Sequence, residues 1–179
     1  MKAVVIYESM YGNTHLIADA IAEGFRSQGE AAVVPVDDAE PALVGCADIV
    51  IVGGPTHAHG MSRPATRKGA VEAAEKPDSE LVLDPDAEHE GLREWFESLG
   101  DVLTNAAAFD TRIDMPAAIT GRASKGIAKK LQHHGATLVC EPESFFVTKD
   151  NHLPPNEETR AQEWGAHLGR VLAGFARAG

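Results

Sequence analysis

The chain opens on an unbroken apolar run, Ala3-Val4-Val5-Ile6-Tyr7, and then changes period. From Leu16 the apolar positions return at helical spacing, through Ile17, Ala20, Ile21, Gly24 and Phe25, and Gln28-Gly29 closes the segment. A short solid apolar run reads as a strand covered on both faces, and a 3.6-residue period as a helix with one buried stripe. The alternation continues along the chain. Residues 31–36 predict a second strand, 41–45 a helical turn, and 48–54, the most apolar stretch, a third strand. Residues 91–99 predict a helix with Leu92, Trp95, Phe96 and Leu99 on one face, 105–109 a fourth strand, and 125–134 a helix stopped by Gly135. Residues 136–140 and 144–147 read as two halves of a fifth strand, broken at Glu141-Pro142. Asn156 is the expected N-cap of the last helix, with Glu157 and Glu158 in its first turn and Trp164, Leu168, Val171, Leu172 and Phe175 buried.

Strands alternating with helices specify an α/β fold, a three-layer sandwich around a parallel sheet. Five strands fit the order 2-1-3-4-5, whose ligand crevice lies at the carboxyl ends of strands one and three. That rule singles out three loops: residues 8–15, 54–64 and 108–116. The stretch from Pro64 to Glu90 breaks the pattern. It is rich in Ala, Glu, Lys, Asp and Pro with weak periodicity, and reads as a surface insertion with a helical turn near Thr66–Ala74; its composition fits a lid or oligomer contact and a disordered or mobile surface segment equally well. With no repeat and no linker, residues 1–179 form a single domain.

Charge narrows the partners. The net charge is −11, and an acidic surface repels nucleic-acid phosphates and anionic lipid, so neither nucleic acid nor membrane is an expected partner. No apolar stretch approaches the roughly 20 residues of a membrane span, and the first apolar run is too short for a secretory leader. A cytoplasmic location is expected. Cys46 and Cys140 lack metal-ligand spacing and stand in apolar neighbourhoods, which predicts buried free thiols.

The first loop, Glu8-Ser9-Met10-Tyr11-Gly12-Asn13-Thr14-His15, suits an oxyanion. Helix-start amides point outward and the helix dipole adds positive character. Gly12 permits close backbone approach, and Ser9, Thr14 and Asn13 each offer a further donor. No Lys or Arg stands there, so a phosphate would be held by neutral groups. The triphosphate-binding GxxxxGK[ST] and the dinucleotide fingerprint GxGxxG are both missing. An ordinary capped helix start, with Thr14 as cap, fits these residues too. The second loop, Gly54-Pro55-Thr56-His57-Ala58-His59-Gly60-Met61-Ser62, leaves the same sheet end and offers a hydroxyl, two imidazoles and a polarizable thioether. A metal held by His57 and His59 lacks a third ligand nearby, so no metal is expected. The third loop, Ala108-Phe109-Asp110-Thr111-Arg112, adds polar groups at the end of strand four.

Together these loops resemble the flavodoxin-like family, which binds flavin mononucleotide (FMN). Ser9-Met10-Tyr11-Gly12-Asn13-Thr14 is similar to the family's (S/T)-x-T-G-x-T pattern, with Tyr11 in place of its threonine. Ser-Met-Tyr-Gly and Gly54-Pro55-Thr56 with Gly60-Met61 also resemble the quinone reductases related to tryptophan-repressor-binding protein. The resemblance implies FMN as cofactor. It implies that Ser9, Met10, Tyr11, Gly12, Asn13 and Thr14 cradle the phosphate and that Pro55, Thr56, His57, Ala58, His59 and Gly60 border the isoalloxazine. Ala108, Phe109, Asp110 and Thr111 would line its pyrimidine edge. No tyrosine or tryptophan stands in loops two and three to stack on the ring. With neutral donors around a dianionic phosphate, the −11 charge would lower the flavin potential.

Three function classes follow. The first is an electron carrier between redox partners. The second is an NAD(P)H-dependent quinone or small-molecule reductase, with Arg63, Arg67, Lys68 and Arg112 at the rim to meet a nucleotide and oligomers as in the quinone-reductase relatives. The third is a cofactor-free regulatory module of the same fold.

Overall fold

The computed structural model describes residues 1–178, with side chains through Phe175. Strand β1 (Lys2–Tyr7) is buried from Ala3 onward, as its solid apolar run requires. Loop one leads into α1 (Asn13–Phe25), then β2 (Glu30–Pro35), a 3₁₀ turn (Val36–Asp38), α2 (Pro41–Gly45) and β3 (Ile49–His57). A two-residue β4 (Gly60–Met61) hairpins back on β3 before α3 (Pro64–Ala74). The remainder comprises α4 (Leu92–Ser98), β5 (Asn105–Ile113), α5 (Ala117–Thr120), α6 (Ala123–His133), β6 (Thr137–Leu138), β7 (Glu143–Val147) and α7 (Pro155–Ala178).

The sheet runs β2-β1-β3-β5, with β6 and β7 both on the far edge of β5. Every pairing in this path is parallel. This is the expected order, with β5 as the fourth strand and β6 and β7 as the broken fifth. β6 pairs with Asn105 and Ala106, whereas β7 pairs with the stretch from Phe109 to Ile113. Pro142 lies in the gap, where a residue without an N–H removes no ladder bond.

Two cores lie on opposite faces. Val4, Ile6, Val50 and Val52 face Trp95, Phe96, Ile127 and Leu131. Ala3, Val5, Ile49 and Ile51 face Ile17, Ile21, Phe25, Leu168 and Leu172. Residue alternation along each strand thus splits its apolar side chains between two helical layers.

Four expectations are corrected. Pro155, not Asn156, begins α7, because its fixed φ suits the first helical position. Phe175 is 56% exposed. Gly169 already faces Gln28, beyond the end of α1, so Phe175 projects past the helix it would pack on. Cys46 is exposed at the end of α2 and Cys140 is half-buried. Burial, reinforced by Glu143 and Glu141, pushes the Cys140 thiol up to about 11. Both are free, as expected.

Candidate functional site

Loop one turns from β1 into α1 through Gly12, whose φ of 85° is a left-handed conformation that favours glycine. Its N–H donates to Ser9 Oγ at 3.1 Å. No side chain caps the start of α1, so the first-turn amides are available to an external acceptor. Thr14 is not the cap: its Oγ1 lies 2.7 Å from Thr111 Oγ1 on β5. Asn13 Nδ2 donates to Asn151 O and Oδ1 at 2.9 and 3.0 Å. These bonds gather loop one, the end of β5 and the turn before α7 around one crevice of about 170 Å³.

Of the residues expected at a ligand site, Ser9, Met10, Tyr11, Asn13, Thr14, Pro55, Thr56, His57 and Thr111 line this crevice. Burial and the charge of Arg67 hold the His57 imidazole below its ordinary range, which favours the neutral ring. Ala58 and His59, at φ of 44° and 72°, form the tight turn between β3 and β4 and line a neighbouring cleft. Gly60 and His59 reach a further groove.

The pyrimidine-edge group is largely displaced. β5 continues to Ile113, paired to β3 as far as Pro55 opposite Thr111. Positions expected in a loop are therefore inside the sheet. Ala108 and Phe109 are fully buried, Phe109 packing edge-on against Phe145 and Trp164. Asp110 is also fully buried. Its Oδ2 accepts from Ser124 N at 2.8 Å and from Thr56 Oγ1 at 3.1 Å, and Thr56 Oγ1 in turn accepts from Ala123 N at 2.8 Å. Asp110 and Thr56 thus satisfy the first amides of α6 from outside the helix, with an anion at its positive end.

Sequence reasoning missed Ile113, Val147 and Asn151, which also line the crevice. Only Asn151 left a signal: Asp150-Asn151 is turn chemistry, and Asn151 adopts a φ of 59°. Of the four rim cations, Arg112 alone lines the crevice. Its Nη1 donates to Met115 O and Thr120 Oγ1 at 2.6 and 3.1 Å, and its guanidinium lies 4.7 Å from the Phe146 ring centre. Its Nε is buried without an acceptor among the described residues. Arg67 instead is buried, bonded to Ser62 Oγ at 3.1 Å and paired with Glu94 at 3.2 Å.

The 64–90 insertion is packed against loop one. Met10, Ala70 and Ala87 form a small buried cluster, and Tyr11 Oη donates to Ala70 O at 2.9 Å. Asp84 N donates to Met10 O at 2.9 Å, while its carboxylate lies 3.3 Å from His15 Nδ1. The His15 ring stacks on Tyr7 at 4.3 Å. Tyr7 Oη meets Asp86 at 3.3 Å, and burial with the charges of Asp84 and Asp86 pushes the phenol up. The apolar residues responsible are too sparse to show a period, which is why the segment read as a loop.

Glu8 lies at the base of this arrangement, 5% exposed. Its Oε2 accepts from Leu92 N at 2.9 Å and its Oε1 has no partner among the described residues. Burial pushes its carboxyl up, against the opposing Ser62 bond, Leu92 amide and Arg67 charge. A carboxyl raised in the fold contributes stability that is complete below the ordinary carboxyl range and lost as pH rises through the folded value. Glu8→Gln is therefore expected to gain melting temperature relative to wild type as pH rises from about 5 to about 8, read by thermal denaturation across pH. A difference independent of pH would remove the raised carboxyl.

The sheet order, the crevice at its carboxyl edge and the neutral donor set in the first βα turn together define a flavodoxin-type redox fold, a class whose members bind FMN. The flavodoxin family profile matches residues 5–103, and the chain belongs to the flavodoxin family. A comparison with curated protein sequences gives no match. Among solved structures, the chain is similar to a flavodoxin from the domain Archaea, at 20% identity and a TM-score of 0.65, over 97% of this chain and 99% of that one. It is similar to oxidised Flavodoxin 1 from Bacillus cereus, at 23% identity and a TM-score of 0.64, over 95% and 98% of the two chains. It is also similar to a flavodoxin, WrbA-like protein from Agrobacterium tumefaciens, at 22% identity and a TM-score of 0.60, over 96% and 97%. Among the described residues no helix is long and apolar enough to cross a membrane.

Proposed function

We propose that this chain holds FMN in the crevice between loop one, loop two and the end of β5, and passes electrons between redox partners. The observation that carries the reading is the mouth of the first βα turn. An uncapped helix start, a left-handed Gly12 and the Ser9, Thr14 and Thr111 hydroxyls converge there with no cationic side chain in the loop. That donor set fits a phosphate monoester held by dipoles. The unpaired Arg112 Nε fits a carbonyl-bearing ring in the same crevice.

Bound FMN would supply one- and two-electron chemistry. The protein's part is to hold and tune it. Ser9 and the α1 amides would take the phosphate, and Thr56 and the neutral His57 would border the ring. Asp110 would act on Thr56 only by fixing its hydroxyl. Among the described residues Arg112 is the one cation lining the crevice, so it would raise the potential that the acidic chain otherwise lowers.

Titration of the purified protein with FMN, followed by visible absorbance and flavin fluorescence, is the test. Saturable uptake with quenching is expected. Gly12→Val forces a β-branched residue into left-handed backbone, a strain of about 1–3 kcal/mol. It is expected to weaken FMN binding by roughly tenfold or more. Absence of uptake would leave the cofactor-free regulatory module as the reading, and unchanged affinity in the variant would remove loop one as the phosphate site.

A further inference from the structure

A groove of about 560 Å³ lies beyond the β3–β4 turn. His59 lines both this groove and the small cleft that shares Thr56, Arg112 and Ile113 with the crevice. Its walls carry Arg93 of α4, Arg122 from just before α6, and Lys129, Lys130 and His133 of α6. Among the described residues no carboxylate lines it, although the chain has 27 acidic and 16 basic residues.

The two arginines are fixed by neutral acceptors. Arg93 Nε donates to Ser62 O at 2.7 Å and to Met61 O at 3.2 Å, and Nη2 donates to Met61 O at 3.1 Å. Arg122 Nε donates to Ser144 Oγ at 3.1 Å, and its Nη2 to Pro142 O. Among the described residues neither arginine, nor Lys129 or Lys130, forms a salt bridge. The guanidiniums are thus held in place with their charge uncancelled, which lowers the ordering cost of capturing an anion. The helix dipole accounts for cations in the last turn of α6, namely Lys130 and His133. It does not account for Arg93 and Arg122, which come from other elements to the same concavity.

We propose that this groove binds a small molecule carrying a diphosphate. On both fixed guanidiniums the Nη1 group makes no hydrogen bond among the described residues and suits a phosphate oxygen, lysines add point charge, and the volume is that of a small-ligand site. A convex acidic protein surface has no counterpart for such a recess. On a chain of net charge −11, a local positive recess also concentrates anions that the rest of the surface repels. The diphosphate is shared by free nucleoside diphosphates and pyridine dinucleotides. The site stands independently of the flavin reading.

Isothermal titration of the full chain, with and without added FMN, tests this with ADP, NADPH and inorganic phosphate as probes. ADP and NADPH are expected to bind, inorganic phosphate more weakly. Raising NaCl from about 50 to about 300 mM is expected to weaken both nucleotides. The double variant Lys129→Glu, Lys130→Glu, checked for native circular dichroism, is expected to lose on the order of tenfold or more in affinity. FMN uptake in that variant is expected to be unchanged, which separates this site from the crevice. Equal affinities for ADP and NADPH assign recognition to the diphosphate moiety alone; tighter NADPH assigns a further contribution to the groups it adds, the 2′-phosphate and the nicotinamide nucleoside. No binding of either nucleotide, or equal binding by the double variant, overturns the proposal.

Discussion

Gly165→Ala is expected to cost on the order of 3 kcal/mol. For a chain of this size that is roughly a 10 °C fall in melting temperature. The usual rule points the other way, since alanine in a helix interior is favoured over glycine by up to about 1 kcal/mol. The sign reverses because α7 crosses α1 at backbone distance. A Cβ on Gly165 would stand 2.0 Å from Ile21 O, and one on Gly24 of α1 would stand 1.9 Å from Gln162 O. The obstacle in both cases is backbone, so no side-chain rotation relieves it. The helices must separate, and the packing of Ile21 and Phe25 against Leu168 loosens with them. Gly69→Ala in α3, where nothing lies within 4 Å of the added carbon, supplies the contrast, with a gain of up to about 1 kcal/mol. Thermal denaturation of the pair reads both signs, and a neutral Gly165→Ala would refute the close crossing. Because α1 carries Thr14 opposite Thr111, the variant is also expected to disturb the crevice.

Asp110→Ala is expected to destabilise the fold by about 2–4 kcal/mol, from hydrogen bonds to a charged acceptor and donors left unpaired in the interior. The carboxylate takes the Ser124 amide and the Thr56 hydroxyl, and Thr56 takes the Ala123 amide. Removing it frees the Ser124 amide at the start of α6 and the Thr56 hydroxyl, and leaves Thr56 unanchored beside the crevice. Asp110→Asn keeps an acceptor and is expected to lose no more than about half as much. Chemical denaturation measures the stability of both. If Asp110 touched a ring edge, as its place after strand four suggested, its loss would change ligand affinity with little change in stability. The structure makes the opposite expectation: a stability loss first, with ligand binding altered only through Thr56.

That residue shows where sequence reading stops. Alternating strand and helix periods, and the glycine turn that joins the first strand to the first helix, are local properties, and they were legible. The solid runs at Ala3–Tyr7 and Ile49–Val52 can be buried only between two helical layers, so the sheet and its order followed. The break at Glu141-Pro142 was visible because proline has no N–H to give a ladder. Where a strand ends was not visible. β3 and β5 pair with each other as far as Pro55 opposite Thr111, and β4 and β7 carry the two strands on to His57 and Ile113. That extension moved Asp110 from an expected loop into the interior, beside Ala108 and Phe109 of the expected fourth strand.

Charges followed the same division. Arg63, Arg67, Lys68 and Arg112 look alike in sequence, yet Arg67 is buried in an ion pair, and of the four only Arg112 lines the crevice. Arg93, Arg122, Lys129 and Lys130 are scattered along the chain and share one groove. By itself the sequence determined the layers, the order of the strands and the glycine turn between β1 and α1, because spacing and glycine content act over a few neighbouring residues. Only the tertiary structure decided which polar side chains face the crevice and which hold the frame, because that depends on strand register and helix approach between residues far apart in the chain.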